Sequence, residues 1–387
     1  MGPFRSLCMA LALLVSAPSF AQQPTPDSIL FQKHLVEIDG GRHMNMVCVG
    51  HGAPTVLFEY GASSHLLAWQ KIVLPVSAFT RACFYDRAGY GFSDPSPKPM
   101  TADNVTDDLH ALLHSAGIPE PIVIVGHSLG GLYATLYTDK FPSEVAGLVL
   151  IDPSFALPLP PPWRADERKR FDKGQADTQK CADLARSGKL TATNPHDCFS
   201  VALNRTPAEV AWLMQQYLKP FRYESVISEG NNHYSTDTIT STDDLEEDRA
   251  ARSYGNMPLI VLTAGTDQLS PDTTPDMKKR FDTYWHTGHD KLAARSTRGV
   301  SITVPNATHF IQVDQPQAVI EAIRTVVAEV RQARIIRGQT QNYSGSDPHP
   351  KSTYQLKPAA DLCLHREDRV SFQTVPALPL PPSSAVP

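Results

Sequence analysis

After residue 21 the chain has no apolar run approaching the roughly 20 residues that a bilayer-spanning helix needs. It also lacks a dominant charge. Its 35 Lys and Arg stand against 40 Asp and Glu, a formal net charge of -5. So weak an acidic balance argues against nucleic acid, and against an anionic membrane, as a partner. No Cys/His cluster carries zinc spacing, no G-x-x-x-x-G-K phosphate loop is present, and no internal repeat recurs. What remains is a 387-residue chain, 41% apolar, long enough for one large α/β domain with an insertion, or for two domains.

The opening "MGPFRSLCMALALLVSAPSFAQQ" has one Arg, a short apolar run and the small-residue site Ser19-Phe20-Ala21. This reads as a signal peptide over residues 1–21, cleaved after Ala21, and predicts a periplasmic or secreted protein with no stable membrane insertion after cleavage. Export permits disulfides. Of the six Cys, Cys8 leaves with the leader. Cys48, Cys83, Cys181, Cys198 and Cys363 remain, an odd number whose pairing spacing alone does not fix.

Strand-like runs recur as HLVEI, MNMVCV, PTVLFEY, RACFYD, IVIVG, AGLVLID, PLIVLTAG and VSITVP. Helical patterns separate the later ones. Val105, Leu109, Leu112 and Leu113 fall on one helical face, as do Val319, Ile320, Ile323, Val326, Val327 and Val330. The alternation predicts an α/β fold: a mostly parallel, eight-stranded sheet with helices on both faces. Residues 28–154 form its first part and 256–337 its second. Between them, from "SFALPLPPPW" on, residues 155–255 are polar, charged and helical, an inserted cap. Residues 338–387 are rich in Pro, Ser and Gly without apolar period, and read as a disordered tail.

The stretch "PIVIVGHSLGGLY" (121–133) places Ser128 between a β-branched strand and an apolar helix. A serine at so tight a turn needs small neighbours two residues away, which Gly126 and Gly130 supply. This is the G-x-S-x-G nucleophile elbow, which lifts the hydroxyl out of the fold and aims the Leu129 N–H at a developing anion. A serine hydroxyl needs a base, and the base an orienter. His309 follows the last strand and so lies at the same sheet edge as the elbow. His127, next to the serine, points elsewhere by strand alternation. For the acid, Asp267 in "LTAGTDQLS" follows the next strand run and fits the chain order Ser, acid, His; Asp152 in "LVLIDPS", one strand earlier, is the alternative. A second oxyanion donor is expected from the loop after "TVLFEYG", with the Ala62 N–H first and Ser63 next.

In this order, "GHSLGG", "YDRAGYGFSDP" (85–95), "LVLIDP", "AGTD" and "THF" resemble the α/β-hydrolase fold superfamily, nearest to exported bacterial lipase/esterase-like members with a helical cap, over about residues 35–335. The resemblance implies that Asp86, Gly89, Gly91 and Ser93 form the family's structural D-x-x-G-x-G-x-S turn. Tyr60-Gly61 departs from the His-Gly that many members carry there. The implied sheet order makes the strands bearing Cys48 and Cys83 neighbours, and so suggests a disulfide between them. Cys181 and Cys198 both lie in the cap and are candidates to staple it. Relatives with Asp at the nucleophile position hydrolyse epoxides or haloalkanes, and Ser128 argues against those reactions.

The expected activity is acyl transfer to water, on a small-to-medium carboxylic ester, with no metal or organic cofactor. The same triad would serve a lactone or a carbon–carbon bond beside a ketone. Two further alternatives stand. One is a short-peptide or amide hydrolase, for which the acidic run "TDDLEED" (242–248) would hold an amino terminus, although such runs are usually solvated. The other is a ligand-binding homologue without turnover. The cap aromatics Trp163, Trp212, Tyr217, Phe221 and Tyr223 read as cap core more readily than as substrate wall.

Overall fold

The computed structural model describes residues 24–156, 161–199, 205–234, 240–266, 269 and 273–343, the side chains of 161–168, 170 and 337–343 excepted. The expected leader, Cys363 and most of the expected tail lie outside them. Contacts divide the chain into a unit ending at Gly338 and a second from Gln339 on; the sheet belongs to the first.

Its strands are β1 (Leu35–Glu37), β2 (His43–Val49), β3 (Val56–Glu59), β4 (Ala82–Tyr85), β5 (Ile122–His127), β6 (Val145–Ile151), β7 (Leu259–Ala264) and β8 (Gly299–Val304). They form one sheet in the order β1-β2-β4-β3-β5-β6-β7-β8. The β1–β2 and β2–β4 pairs are antiparallel and the rest parallel. The eight runs read from the sequence are these strands.

The helices are α1 (Pro26–Leu30), α2 (Val73–Ser77), α3 (Ala102–Ser115), α4 (Leu129–Lys140), α5 (Pro161–Arg186), α6 (Pro207–Tyr217), α7 (Pro220–His233), α8 (Thr242–Ala250), α9 (Pro275–Ala293), α10 (Ile311–Asp314) and α11 (Pro316–Tyr343). β5 is buried along its whole length because helices cover both sheet faces, which is why its sequence reads as an unbroken apolar run. One face packs Trp69, Val73 and Val76 with Val319, Ile323, Val326 and Val330 of α11. The other packs Leu109, Leu112 and Leu113 of α3 with Tyr137 of α4 and Leu292 of α9. No described helix is long and apolar enough to cross a membrane.

Between β6 and β7 the described residues form α5 to α8 and no strand beyond a Thr191–Asn194 bridge. Cys48 stands opposite Cys83 across β2 and β4, and the two are disulfide-bonded. Cys181, in α5, is bonded to Cys198. The Asp86 turn is structural as expected: its carboxylate accepts from Asn45 Nδ2 (2.9 Å) and Phe92 N (3.0 Å). A Cβ on Gly91, at φ 52°, would collide with that carboxylate.

The acidic run 242–248 is not a solvated face. Asp243, Asp244 and Glu247 are buried. Asp243 accepts from Ala102 N (2.8 Å) and Glu246 from Asp103 N (2.7 Å), so two carboxylates sit on the N-terminus of α3, where unpaired N–H groups and the helix dipole favour negative charge.

Candidate active site

Ser128 directly follows β5 and precedes α4, with φ 53° and ψ -125°, a conformation that costs an L-residue strain. The glycines around it explain how the turn closes. A Cβ on Gly126 would lie 2.5 Å from the Gly130 carbonyl oxygen, one on Gly130 2.4 Å from that of Tyr60, and one on Gly131 2.4 Å from Pro153 Cβ. The backbone is anchored from both sides: Ser128 N donates to Ile151 O (3.0 Å) and Ser154 N to Ser128 O (2.9 Å). Leu129 is the first residue of α4, so its N–H has no partner within the helix. Gly61, Ala62 and Ser63 approach from the β3 loop. A Cβ on Gly61 would stand 3.0 Å from Ser128 Cβ. The Ser63 N–H is taken by Glu229 Oε1 (2.7 Å). Ala62 lines the cavity beside Ser128.

His309 lies in the loop between β8 and α10, with its side chain 26% exposed. Its Nδ1 is 2.7 Å from Asp152 Oδ2. Beside a carboxylate this nitrogen carries the proton, which leaves Nε2 with the lone pair a base requires. Both Ser128 and His309 line one cavity of about 740 Å3. No hydrogen bond joins the two side chains, a looseness that does not disqualify a base.

The carboxylate on His309 is thus Asp152, the alternative from the sequence. Asp267, the acid that chain order favoured, lies outside the described residues. Asp152 follows β6, which adjoins the elbow strand, and its φ of 42° turns the side chain toward the β8 loop. Its second oxygen, Oδ1, accepts from Ala264 N (2.9 Å) and Trp285 Nε1 (2.8 Å). Burial works to raise this carboxyl, but the hydrogen bond and charge of His309, with His289 and the Ala264 N–H, outweigh it and hold it below the usual carboxylate range. It is therefore an anion aimed at the imidazole.

Three residues here were not legible as site residues. Trp285 and His289 lie four apart on α9, so both meet the β6 end. His289 accepts from Thr263 Oγ1 (2.7 Å) and donates through Nε2 to Pro153 O (3.0 Å), which braces the residue after Asp152. Burial pulls its pKa down to about 4, so it is a neutral brace. His127 is the third. It does avoid the serine hydroxyl, but its Nε2 donates to the His309 carbonyl (2.9 Å) and its ring lies 4.7 Å from the His309 ring. Burial pulls it to about 3, which keeps it neutral. The signal available in the sequence was adjacency to Ser128; the partner, 182 residues away, was not visible.

A second network sets the β3 loop. Buried Arg87 donates to Glu59 Oε1 (2.6 Å), Tyr60 O (2.6 Å), Gly61 O (2.8 Å) and Glu229 Oε2 (2.9 Å). Its own N–H donates to Tyr60 Oη (2.9 Å), and its guanidinium lies 4.1 Å from the Tyr60 ring centre. Tyr60 is thus a platform for Arg87. From α7, Glu229 holds the Ser63 N–H and Arg222 the Ser63 carbonyl (3.0 Å), which fixes a residue at φ 55°. Of the insertion aromatics, Trp212 and Tyr223 are buried, and Trp212 stacks on Phe31 at 5.2 Å. The side chain of Trp163 lies outside those described.

Ser128, strained after a parallel strand, thus shares one sheet edge with the His309 imidazole and the buried Asp152 carboxylate. A model of the alpha/beta hydrolase family matches residues 46–322, and the chain belongs to that family of hydrolases. An uncharacterized vacuolar membrane protein of Saccharomyces cerevisiae is 34% identical over 125 residues, 29% of this chain and 19% of that protein, so the match spans about a fifth of that relative's length. Among solved structures, a thermophilic esterase from Thermogutta terrifontis superposes with a TM-score of 0.50 at 21% identity, over 77% of this chain and 99% of that one. The haloalkane dehalogenase DatA from Agrobacterium tumefaciens gives a TM-score of 0.55 at 16% identity, over 77% and 97%. At such identities the likeness is one of fold.

Proposed function

We propose that the protein is an exported serine hydrolase that cleaves a small-to-medium carboxylic ester through an acyl-enzyme. The observation that carries this reading is the Ser128 elbow opening into the same cavity as a His309 imidazole held on Asp152 at 2.7 Å. Ser128 Oγ attacks the ester carbonyl carbon while His309 Nε2 takes its proton. Asp152 stabilises the imidazolium that results, and the Leu129 and Ala62 N–H groups hold the oxyanion. Collapse of the tetrahedral species breaks the C–O bond, and His309 protonates the leaving alcohol. Water, with His309 again as base, then releases the acid and frees the serine.

The helical segment 155–255 acts as a cap over this cavity. Phe171 of α5, Val226 of α7 and Phe281 of α9 line it with the serine, and about 740 Å3 suits a compact organic ester better than a long acyl chain. Because Asp243 and Glu246 are committed to the N-terminus of α3, the acidic run offers little to a peptide's amino group. A hydroxyl rather than a carboxylate at the elbow favours acyl transfer over the haloalkane chemistry named for DatA.

The test is a substrate panel on purified protein: p-nitrophenyl acetate, butyrate and decanoate, a γ-lactone, an aminopeptidase substrate and 1-chlorobutane. Turnover of the short esters, lost in Ser128→Ala, is expected. Chloride release without ester cleavage would overturn the reading.

A further inference from the structure

We propose that His110, His114 and Glu144, completed by Glu120, form a binding site for a divalent transition-metal ion, with Zn2+ the best fit, at the sheet edge away from the serine. His110 and His114 lie four apart in α3 and so share one face, with ring centres 4.3 Å apart. Glu144 directly precedes β6, and Glu120 precedes Pro121 and β5. The sheet brings these two chain segments to the C-terminal half of α3.

The geometry is that of donors around a common centre. His110 Nδ1 is 3.2 Å from Glu144 Oε2. His114 Nε2 is 3.3 Å from Glu144 Oε1 and 3.4 Å from Glu120 Oε1. The ligand atoms of His110, His114 and Glu144 all lie within 4.8 Å of one another. Ligands about 2.0–2.1 Å from a tetrahedral Zn2+ are themselves about 3.3 Å apart; the three His–Glu separations of 3.2, 3.3 and 3.4 Å match this, and the wider ones must contract on binding. The widest separation closes by rotation of the His114 side chain, which is 54% exposed. Two imidazoles and two carboxylates are a donor set that suits Zn2+, with Co2+ as a spectroscopic substitute.

Outer contacts fix these ligands as they do in metal sites. Tyr137 Oη donates to Glu144 Oε2 (2.5 Å), and the His110 ring stacks on Phe141 at 3.9 Å and 4°. Sequence spacing does not display this group, because Glu144 stands 34 and 30 residues from the two histidines. A bound ion would clamp α3 to the N-terminal ends of β5 and β6.

The test uses untagged mature protein, stripped with EDTA and dialysed. Zn2+ at about a hundred times its dissociation constant should raise Tm by about 4 °C. Co2+ should give the visible absorption of a tetrahedral site. Because the chain has fourteen His, the deciding comparison is His114→Gln, whose ring is largely at the surface and which should fold normally. The Tm rise and the Co2+ band should both be lost in it. No Zn2+ shift and no Co2+ band in the wild type, or the same response in His114→Gln, would overturn the proposal. Neither result bears on Ser128.

Discussion

His127 is a histidine with a single task. Buried and neutral, it spends its one N–H on the His309 carbonyl, and so it holds the backbone of the proposed base from behind while Asp152 holds the ring from the front. A lost buried hydrogen bond is worth about 1 kcal/mol. His127→Phe keeps the ring and removes the N–H, so kcat on a short ester should fall about 5–10-fold, with KM little changed. Steady-state kinetics on the two proteins check this, and an equal loss shared with KM would mean the ring acts on substrate binding. Ser128 and His309 were legible in the sequence because each sits at a strand-to-helix turn whose flanking residues reveal it. The acid was not. Asp152 and Asp267 both follow strands, and only the Ala264 and Trp285 N–H groups on Oδ1, from distant parts of the chain, reveal the Asp152 side chain as a built anion.

At the scale of elements, α7 is tied to the β3 loop by charge. Glu229 bridges Arg87 and the Ser63 N–H, 142 and 166 residues away, inside the protein. Glu229→Gln leaves one acceptor oxygen, so its amide nitrogen must face either the guanidinium or the N–H. Breaking a buried pair of this kind costs about 3 kcal/mol. Urea denaturation should show that loss. Glu224→Gln, on the exposed side of the same helix and paired with Arg186, should leave stability nearly unchanged, since water screens such a surface pair. Similar losses in the two would show that the Glu229 link is no more than a surface pair. The helix itself could be read from the sequence, but its anchor could not, because nothing local distinguishes Glu229 from the exposed Glu224. The eight strands were readable for the opposite reason: burial on both faces forces continuous apolar runs, a signal carried within each segment.

For the molecule as a whole, the insertion is built on buried acids. Glu247 of α8 accepts from Ala156 N (2.9 Å) and faces Arg295 (3.4 Å). Burial pushes its carboxyl up to about 8 against the pull of Arg295. A folded-state value raised from 4.5 means that the stabilisation is full below about pH 4.5 and is lost as pH rises through about 8. Urea midpoints should therefore fall between pH 6 and pH 9, and Glu247→Gln should flatten that fall; an unchanged slope in the variant would assign the pH dependence elsewhere. The proposed relay has the same breadth, since it joins residues after β5, β6 and β8 across one sheet edge. The most direct test is the rate at which a fluorophosphonate labels Ser128 in the wild type, Asp152→Asn and Asp267→Asn, read by mass spectrometry. The account predicts labelling at Ser128, slowed by about 10³–10⁴ in Asp152→Asn and nearly unchanged in Asp267→Asn. Absence of labelling in folded wild-type protein, or a loss in Asp267→Asn rather than Asp152→Asn, would contradict it.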